Sequence, residues 1–254
     1  MRHKCPAGTF GERPQLTSSR CSGRCERGHY CPAGSTSGAT PHGSAAVTAG
    51  RETERAIPSH NRRPARRCPA GRYGGQAGLK AASCSGLCAA GHFCPEASTN
   101  PRQRQCGGQG ELFCPAGSRA PRRVHAGYYS TCSNNNLAPP SSGGCTVRTR
   151  EAQLECEAGT YCSDGLQHDC PAGRFGRRTG LKSSDCDGLC YRGFYCPPGS
   201  DSPTAHPCPA GTYGADRGHK DASCSGPCEA GYDCPAASVD QFGRRSDAGR
   251  SQAP

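Results

Sequence analysis

The large apolar residues of this chain are sparse, and they stand in fixed slots between cysteines. A cysteine opens the pattern, followed by Pro-Ala-Gly, a variable residue, an aromatic and a second glycine. The aromatics are Phe10, Tyr73, Phe175 and Tyr213, and the glycines behind them are Gly11, Gly74, Gly176 and Gly214. Six positions beyond the aromatic stand Leu16, Leu79 and Leu181, with His219 in the last copy. Later in each copy Gly23, Gly86, Gly188 and Gly226 sit between two cysteines. Then Gly28, Gly91, Gly193 and Gly231 precede an aromatic pair such as Phe194-Tyr195. The pattern predicts two short irregular strands joined by turns in each copy, and essentially no helix. The first aromatic is expected to lie across the nearby disulfide, with the leucine packing back on the same spot. The glycine after the aromatic suits a turn of positive φ, and the one between the two cysteines a tight turn.

The cysteines repeat as C-x15-C-x3-C-x5-C four times without an insertion or deletion: Cys5, Cys21, Cys25, Cys31; Cys68, Cys84, Cys88, Cys94; Cys170, Cys186, Cys190, Cys196; Cys208, Cys224, Cys228, Cys234. An internal repeat of this kind marks an array of small units. Four-cysteine repeats are therefore expected at 1–35, 68–98, 170–207 and 208–238, each self-contained. Residues 99–169 form a divergent block with six cysteines of their own. There Cys156 and Cys162 reproduce the second half of a repeat with nothing at the right distance before them. That half therefore stands alone, which favours pairing first with second and third with fourth. The pairs are then Cys5–Cys21, Cys25–Cys31, Cys68–Cys84, Cys88–Cys94, Cys170–Cys186, Cys190–Cys196, Cys208–Cys224 and Cys228–Cys234. In the divergent block they are Cys156–Cys162, Cys106–Cys114 closing a small loop, and Cys132–Cys145 bracketing a polar one. The crossed pairing, first with third and second with fourth, stays open, because spacing does not choose among connectivities.

The chain has 254 residues and 22 cysteines, while Leu, Ile, Val and Phe make up about 8% of it and Trp is absent. So little apolar area cannot offset the entropy of ordering the backbone. Disulfides change the balance: closing a loop of ~15 residues removes about 3 kcal/mol of unfolded-state freedom in the chain-entropy model. The expected fold is small and disulfide-rich, a rod of tandem repeats held by crosslinks. Such crosslinks need an oxidising compartment, hence a secreted or cell-surface location. Met1 to Lys4 runs straight into Cys5 with no apolar leader, and no stretch approaches the ~18 apolar residues of a membrane span. The repeat phase begins almost at residue 1, so the chain is read as a piece of a longer one.

Residues 36–67 hold no cysteine and end in Asn61-Arg62-Arg63-Pro64-Ala65-Arg66-Arg67. They read as a disordered basic linker, or as non-coding sequence retained in the gene model. Arg63 to Arg66 also fits an R-x-x-R pattern for a secretory processing protease. The tail, 239–254, reads as unstructured.

The segments around Cys5, Cys21–Ser35 and Cys84–Ser98, "CPAGTFG", "CSGRCERGHYCPAGS" and "CSGLCAAGHFCPEAS", resemble the ephrin-receptor-like cysteine-rich repeat of the growth-factor-receptor cysteine-rich class. They are also similar to modules of tumour-necrosis-factor receptors, and to tandem arrays in large surface proteins of protists and algae. The block from Cys106 to Gly173 looks like a spacer of those arrays. The resemblance covers most of residues 1–238 and departs at 36–67 and at Cys132 and Cys145. It implies an extracellular, rod-like, non-enzymatic part of a larger receptor or adhesion protein, either a structural stalk or the ligand-binding ectodomain of a signalling receptor.

Zinc sites favour C-x2-4-C with histidine, and C-x3-C beside His29 and His92 falls in that range. The same slot holds Phe194 and Tyr232 in the other copies, so it reads as an aromatic packing position. A reduced, metal-loaded intracellular protein is the weakest alternative. Cysteines this many and this interchangeable do not offer the singular activated thiol of a nucleophilic enzyme. Asp185 and Asp187 flank Cys186 and read as turn formers rather than an acid–base pair. Asp residues near Cys162 and Cys186 lack the regular spacing of a calcium loop. No cofactor, metal or nucleic acid is expected. The net charge of +11 comes mostly from arginine, with pairs at Arg122-Arg123, Arg177-Arg178 and Arg244-Arg245. The expected partner is a protein or polysaccharide, with weak binding of polyanions through arginine.

Overall fold

The computed structural model describes residues 3–39, 63–132 and 148–244. The middle of the basic stretch, the loop holding Cys145, and the tail from 245 lie outside the described residues. The chain divides into two compact units, residues 1–122 with 132–152, and residues 123–131 with 153–254. Among the described residues there is no helix. Regular structure consists of strands of two to four residues, each paired with one neighbour in a two-stranded ladder. The protein is a small disulfide-rich fold of strands and turns.

Its structural period is half of the four-cysteine repeat. Each module opens with a residue three positions before a glycine, usually a cysteine. Except in the last module, it continues into a strand, a loop and a second strand that ends just before the next module's opening residue. Thus Thr9–Phe10 pairs with Gly23–Arg24 before Cys25, and His29–Tyr30 pairs with Arg66–Arg67 before Cys68. Arg72–Tyr73 pairs with Gly86–Leu87 before Cys88, and Phe194–Tyr195 with His206–Pro207 before Cys208. Modules 1 to 5 open at Cys5, Cys25, Cys68, Cys88 and Cys106, the last of these without the glycine three positions on. Modules 6 to 11 open at Val124, Cys156, Cys170, Cys190, Cys208 and Cys228. Module 6 is hidden in the sequence because Val124 replaces the cysteine. Its Gly127 still has φ +86, and its carbonyl still accepts the N–H of Cys156 at 3.0 Å. The block read as a divergent spacer therefore holds further copies of the same module.

Main-chain hydrogen bonds run from module to module across the four-cysteine boundaries. The Gly28 N–H donates to the Gly74 carbonyl at 2.9 Å, and the Cys68 N–H donates back to the Gly28 carbonyl at 2.8 Å. Gly193 with Gly214 and Cys208 repeats this at 2.9 Å for both bonds. The four-cysteine repeats are thus not self-contained.

Two glycine positions owe their identity to close approach. Gly11, Gly74, Gly176 and Gly214 do not have positive φ, contrary to the turn expected there. A Cβ at Gly74 would instead lie 2.9 Å from both the Cys68 sulfur and the Leu79 Cδ1. At Gly176 the corresponding distances are 2.8 Å to Cys170 and 2.6 Å to Leu181. The leucine packs on the disulfide through the gap that glycine leaves. Positive φ belongs to the module glycines Gly8, Gly28, Gly71, Gly91, Gly127, Gly159, Gly173 and Gly193. A Cβ at each would fall within van der Waals contact of a carbonyl oxygen, that of Gly78 for Gly8, Gly117 for Gly71 and Gly218 for Gly173, two modules further on. The aromatic also sits differently from expectation. Phe10 packs against Cys25, Cys31 and Ala65, the disulfide of the following module. Its ring faces Gly23, where a Cβ would be 3.3 Å from it, so Gly23 is a strand residue under a ring rather than a turn.

Apart from Ala65, Phe113 and Leu181, the buried apolar residues among those described are all cysteines. The basic stretch is ordered at both ends. The Thr36 N–H donates to the Arg63 carbonyl at 2.7 Å, and the Ala65 N–H to the Ser37 hydroxyl at 3.3 Å. Ala65 is buried and Arg66–Arg67 is a paired strand, so the R-x-x-R run is folded rather than extended and free. Residues 239–244 of the tail are folded back on themselves: Asp240 accepts the N–H groups of Phe242 and Arg244 at 3.0 Å each.

Candidate functional site

The cysteines build the scaffold on which any site must sit. In the structure the long loops are closed by Cys5–Cys21, Cys68–Cys84, Cys170–Cys186 and Cys208–Cys224. The short ones are closed by Cys25–Cys31, Cys88–Cys94, Cys156–Cys162, Cys190–Cys196 and Cys228–Cys234, with Cys106–Cys114 slightly longer. Cys132 is disulfide-bonded; the pair assigned to it with Cys145 lies outside the described residues. Each long loop's second cysteine, such as Cys186 at φ 51, is left-handed, a conformation that costs an L-residue about 1–2 kcal/mol and is held here by the crosslink.

A serine that sequence reading passed over completes most of the short modules. Ser35, Ser98, Ser118, Ser200 and Ser238 are buried, and each hydroxyl donates to the carbonyl of the proline three residues earlier, at 2.6 to 2.7 Å. Its signal was C-P-x-x-S at constant spacing after the short loop.

The acids near cysteines hold turns. Asp187 accepts the N–H groups of Arg177 and Arg178 at 2.7 and 2.9 Å and pairs with the Arg178 guanidinium at 2.6 Å. Burial disfavours its charge, but the Arg178 and Arg177 donors outweigh that and hold its carboxyl below the usual range. Asp185 pairs with Arg174 at 3.2 Å. Asp164, at φ 51, and Gly165, at φ 74, make the two-residue turn between strands Thr160–Ser163 and Leu166–Asp169. Positive φ at both central residues is the geometry that suits a right-twisted hairpin.

His29 and His92 stand in strands, each with Nδ1 close to the carbonyl two residues earlier, 3.3 Å to Arg27 and 3.2 Å to Ala90. Among the described residues no group of three His, Cys, Asp or Glu is arranged to hold a metal ion.

What the array presents outward is a repeated pairing of an aromatic with a basic group. Tyr30 stands opposite Arg66 and Phe93 opposite Arg104 in the ladders of the first unit. In the second unit His168 stacks on Tyr161 and His206 on Tyr195, with ring centroids 5.2 Å apart in both. The sequence scatters these basic residues; the ladder puts them at one equivalent position. Of the pairs singled out earlier, Arg122–Arg123 is itself a strand, paired with Leu112–Phe113, and the other two behave otherwise. Arg177 and Arg178 are tied to Asp187, Arg244 pairs with Asp240 at 3.4 Å, and Arg245 lies outside the described residues.

Charge is divided unevenly. The first unit carries 20 Lys and Arg against 7 Asp and Glu, a net of +13, and the second 11 against 13, a net of −2. The whole positive excess of the chain lies in the first unit.

No protein-family model matches the chain, and no curated protein matches it. Many disulfides fit an oxidising environment, and among the described residues no helix is long and apolar enough to cross a membrane.

Proposed function

We propose that this chain is a non-enzymatic structural and interaction segment of a secreted or cell-surface protein, of the ephrin-receptor-like cysteine-rich kind. The observation that carries the proposal is the module itself. One main-chain pattern recurs from Cys5 to Cys234, stapled by disulfides and with its invariant groups turned inward, so that only loops and ladder edges vary outward. Such a scaffold holds binding loops in place without needing a core. The excess of +13 on the first unit supports an acidic polysaccharide as the ligand class of that unit.

The test is one preparation with two readouts. The chain is made through a secretory pathway behind an added leader, alkylated without reduction and weighed. It is then applied to an immobilised sulfated polysaccharide at increasing salt. Full oxidation, unfolding on reduction, and retention that weakens steeply with salt are expected. A compact protein with abundant free thiols would overturn the extracellular scaffold. Salt-insensitive retention, or none, would overturn the polyanion ligand.

A further inference from the structure

What stands opposite the aromatic in a ladder depends on the kind of module. In the long-loop modules it is glycine: Phe10 faces Gly23, Tyr73 Gly86, Phe175 Gly188 and Tyr213 Gly226. In the short-loop modules 2, 4, 7 and 9 it is a basic residue: Tyr30 faces Arg66, Phe93 Arg104, Tyr161 His168 and Tyr195 His206. Glycine makes the same ladder, so the fold does not require a basic group there. Directly opposed side chains project from the same face of a two-stranded ladder, within reach of each other. The stacked histidines of the second unit show that reach, with centroids 5.2 Å apart.

The first unit sets two aromatic–arginine pairs on modules that touch. Module 2 packs on module 4: a Cβ at Gly28 would fall against the Ala97 carbonyl oxygen and 3.3 Å from the Thr99 Cγ2. Arg66 is brought to its ladder by the bonds of Thr36 to Arg63 and of Ala65 to Ser37. Arg104 is brought to the same register by Gln103, whose side-chain oxygen accepts the N–H groups of Thr99 and Asn100 at 3.3 and 3.2 Å. Both arginines are exposed and both rings are half-buried. Neither arginine has an ion-pair partner among the described residues; the pairs of Arg174, Arg178 and Arg244 all lie in the second unit. Both modules are interior to the array, with modules 1, 3 and 5 beside them in the chain.

A guanidinium offers a planar fork of N–H donors to the oxygens of an acid group. A half-exposed ring offers an apolar face to the C–H side of a pyranose. A sulfated sugar chain presents both features in alternation. We infer that the Tyr30–Arg66 and Phe93–Arg104 pairs form the sulfated-polysaccharide site of the first unit, with the rings against sugars and the guanidinium groups on sulfates. The inference rests on the acidic-polysaccharide reading of that unit, and adds to it a place and an apolar contact that net charge does not supply.

Anisotropy of a fluorescent heparin fragment, titrated with the full, completely oxidised chain at several sodium chloride concentrations, reads it. Arg66→Gln with Arg104→Gln is expected to weaken binding about 2- to 30-fold, the range for losing two exposed charge pairs. Arg24→Gln with Lys80→Gln removes the same charge from exposed positions of the same unit, where Arg24 faces Thr9 rather than a ring, and should cost less than about 2-fold. Tyr30→Leu with Phe93→Leu keeps every charge and should weaken binding while leaving its salt dependence unchanged. In the wild-type chain the fragment should shield Arg66 and Arg104, but not Arg24, from phenylglyoxal, a readout that needs no variant to fold. A wild type that does not bind would overturn the acidic-polysaccharide reading and the site with it. Equal losses in the two charge variants, or equal shielding of Arg24, would leave that reading standing and overturn the site. Unchanged binding in the leucine variant would overturn the sugar contact. Tighter binding of a single-stranded oligonucleotide through the same arginines would give the surface to nucleic acid and overturn the polysaccharide.

Discussion

Gly173 and Gly211 share a backbone angle and differ in what lies above them, so an alanine at each separates two costs. Both have φ +85, and both follow Cys-Pro-Ala at the start of a long-loop module in the second unit. At Gly211 a Cβ would meet nothing within 4 Å. At Gly173 it would fall within van der Waals contact of the Gly218 carbonyl oxygen and 3.3 Å from the Lys220 Cγ. The left-handed angle costs an alanine about 1–2 kcal/mol at either site. Gly173→Ala must in addition displace the backbone at Gly218, and overpacking of that kind costs about 1–3 kcal/mol. The difference between the variants is thus expected to be about 1–3 kcal/mol, with Gly173→Ala the more damaged.

Melting of the whole chain would average over modules, so native-state hydrogen exchange with disulfides intact is the assay. The reporting amides are Gly218, which donates to the Cys190 carbonyl at 3.0 Å, and Cys190, which donates to the Gly173 carbonyl at 3.0 Å. The expected difference corresponds to exchange about 5- to 150-fold faster at these amides in Gly173→Ala than in Gly211→Ala. Equal acceleration in the two variants would refute a contact between modules two apart and leave only the angle.

Two further outcomes follow from the same geometry. Removing the Cys170–Cys186 crosslink by Cys170→Ala with Cys186→Ala should cost about 3 kcal/mol, as its loop length implies; because Gly159 and Cys190 bond to Gly176 and Gly173, faster exchange should spread into both neighbouring modules, and a loss confined to residues 170–186 would contradict that. Asp187→Ala should expose the Arg177 and Arg178 amides to exchange, and Asp187→Ser should largely restore them, since Ser85 and Ser225 accept the equivalent N–H of Gly75 and Ala215 at 2.9 and 2.8 Å. The folded carboxyl titrates below its unfolded value near 3.8, so Asp187's contribution is present above that pH and is lost as pH falls through the folded value; an advantage over Asp187→Ser that persisted in strong acid would refute the charge-based account.

The spacing of the cysteines carried the strand-and-turn fold, because a crosslinked chain with three buried non-cysteine apolar residues among those described has few other ways to be ordered. It left the pairing open between two connectivities. The half-repeat period was not legible, for a physical reason: junctions are made by main-chain N–H and carbonyl groups, which every residue possesses. Only the glycines betray them, and a glycine before a strand reads equally well as a turn. Val124 hid a module because its side chain breaks the cysteine pattern, while Gly127 keeps the positive φ and accepts the Cys156 N–H. The aromatic slot was legible as packing, but the ring lies on the following disulfide, and a pattern internal to one copy cannot distinguish its own crosslink from the next.

This division between main-chain junctions and variable loops also explains what the array tolerates. Between Cys94 and Cys106, and between Cys196 and Cys208, the connector has 11 residues, while between Cys31 and Cys68 it has 36. The longer connector keeps the same ladder, Tyr30 with Arg66 as Phe93 with Arg104, because the bond of Thr36 to Arg63 clamps it beside the junction. Loop-closure entropy grows only as the logarithm of length, so the extra residues cost about 1 kcal/mol. Junction glycines have no such latitude, since a single methyl group at Gly8 or Gly173 strikes a carbonyl two modules away. Sequence change is therefore channelled into connectors and ladder edges, the surfaces on which Arg66, Arg104, His168 and His206 are displayed. An array built this way can vary what its loops display without changing its scaffold.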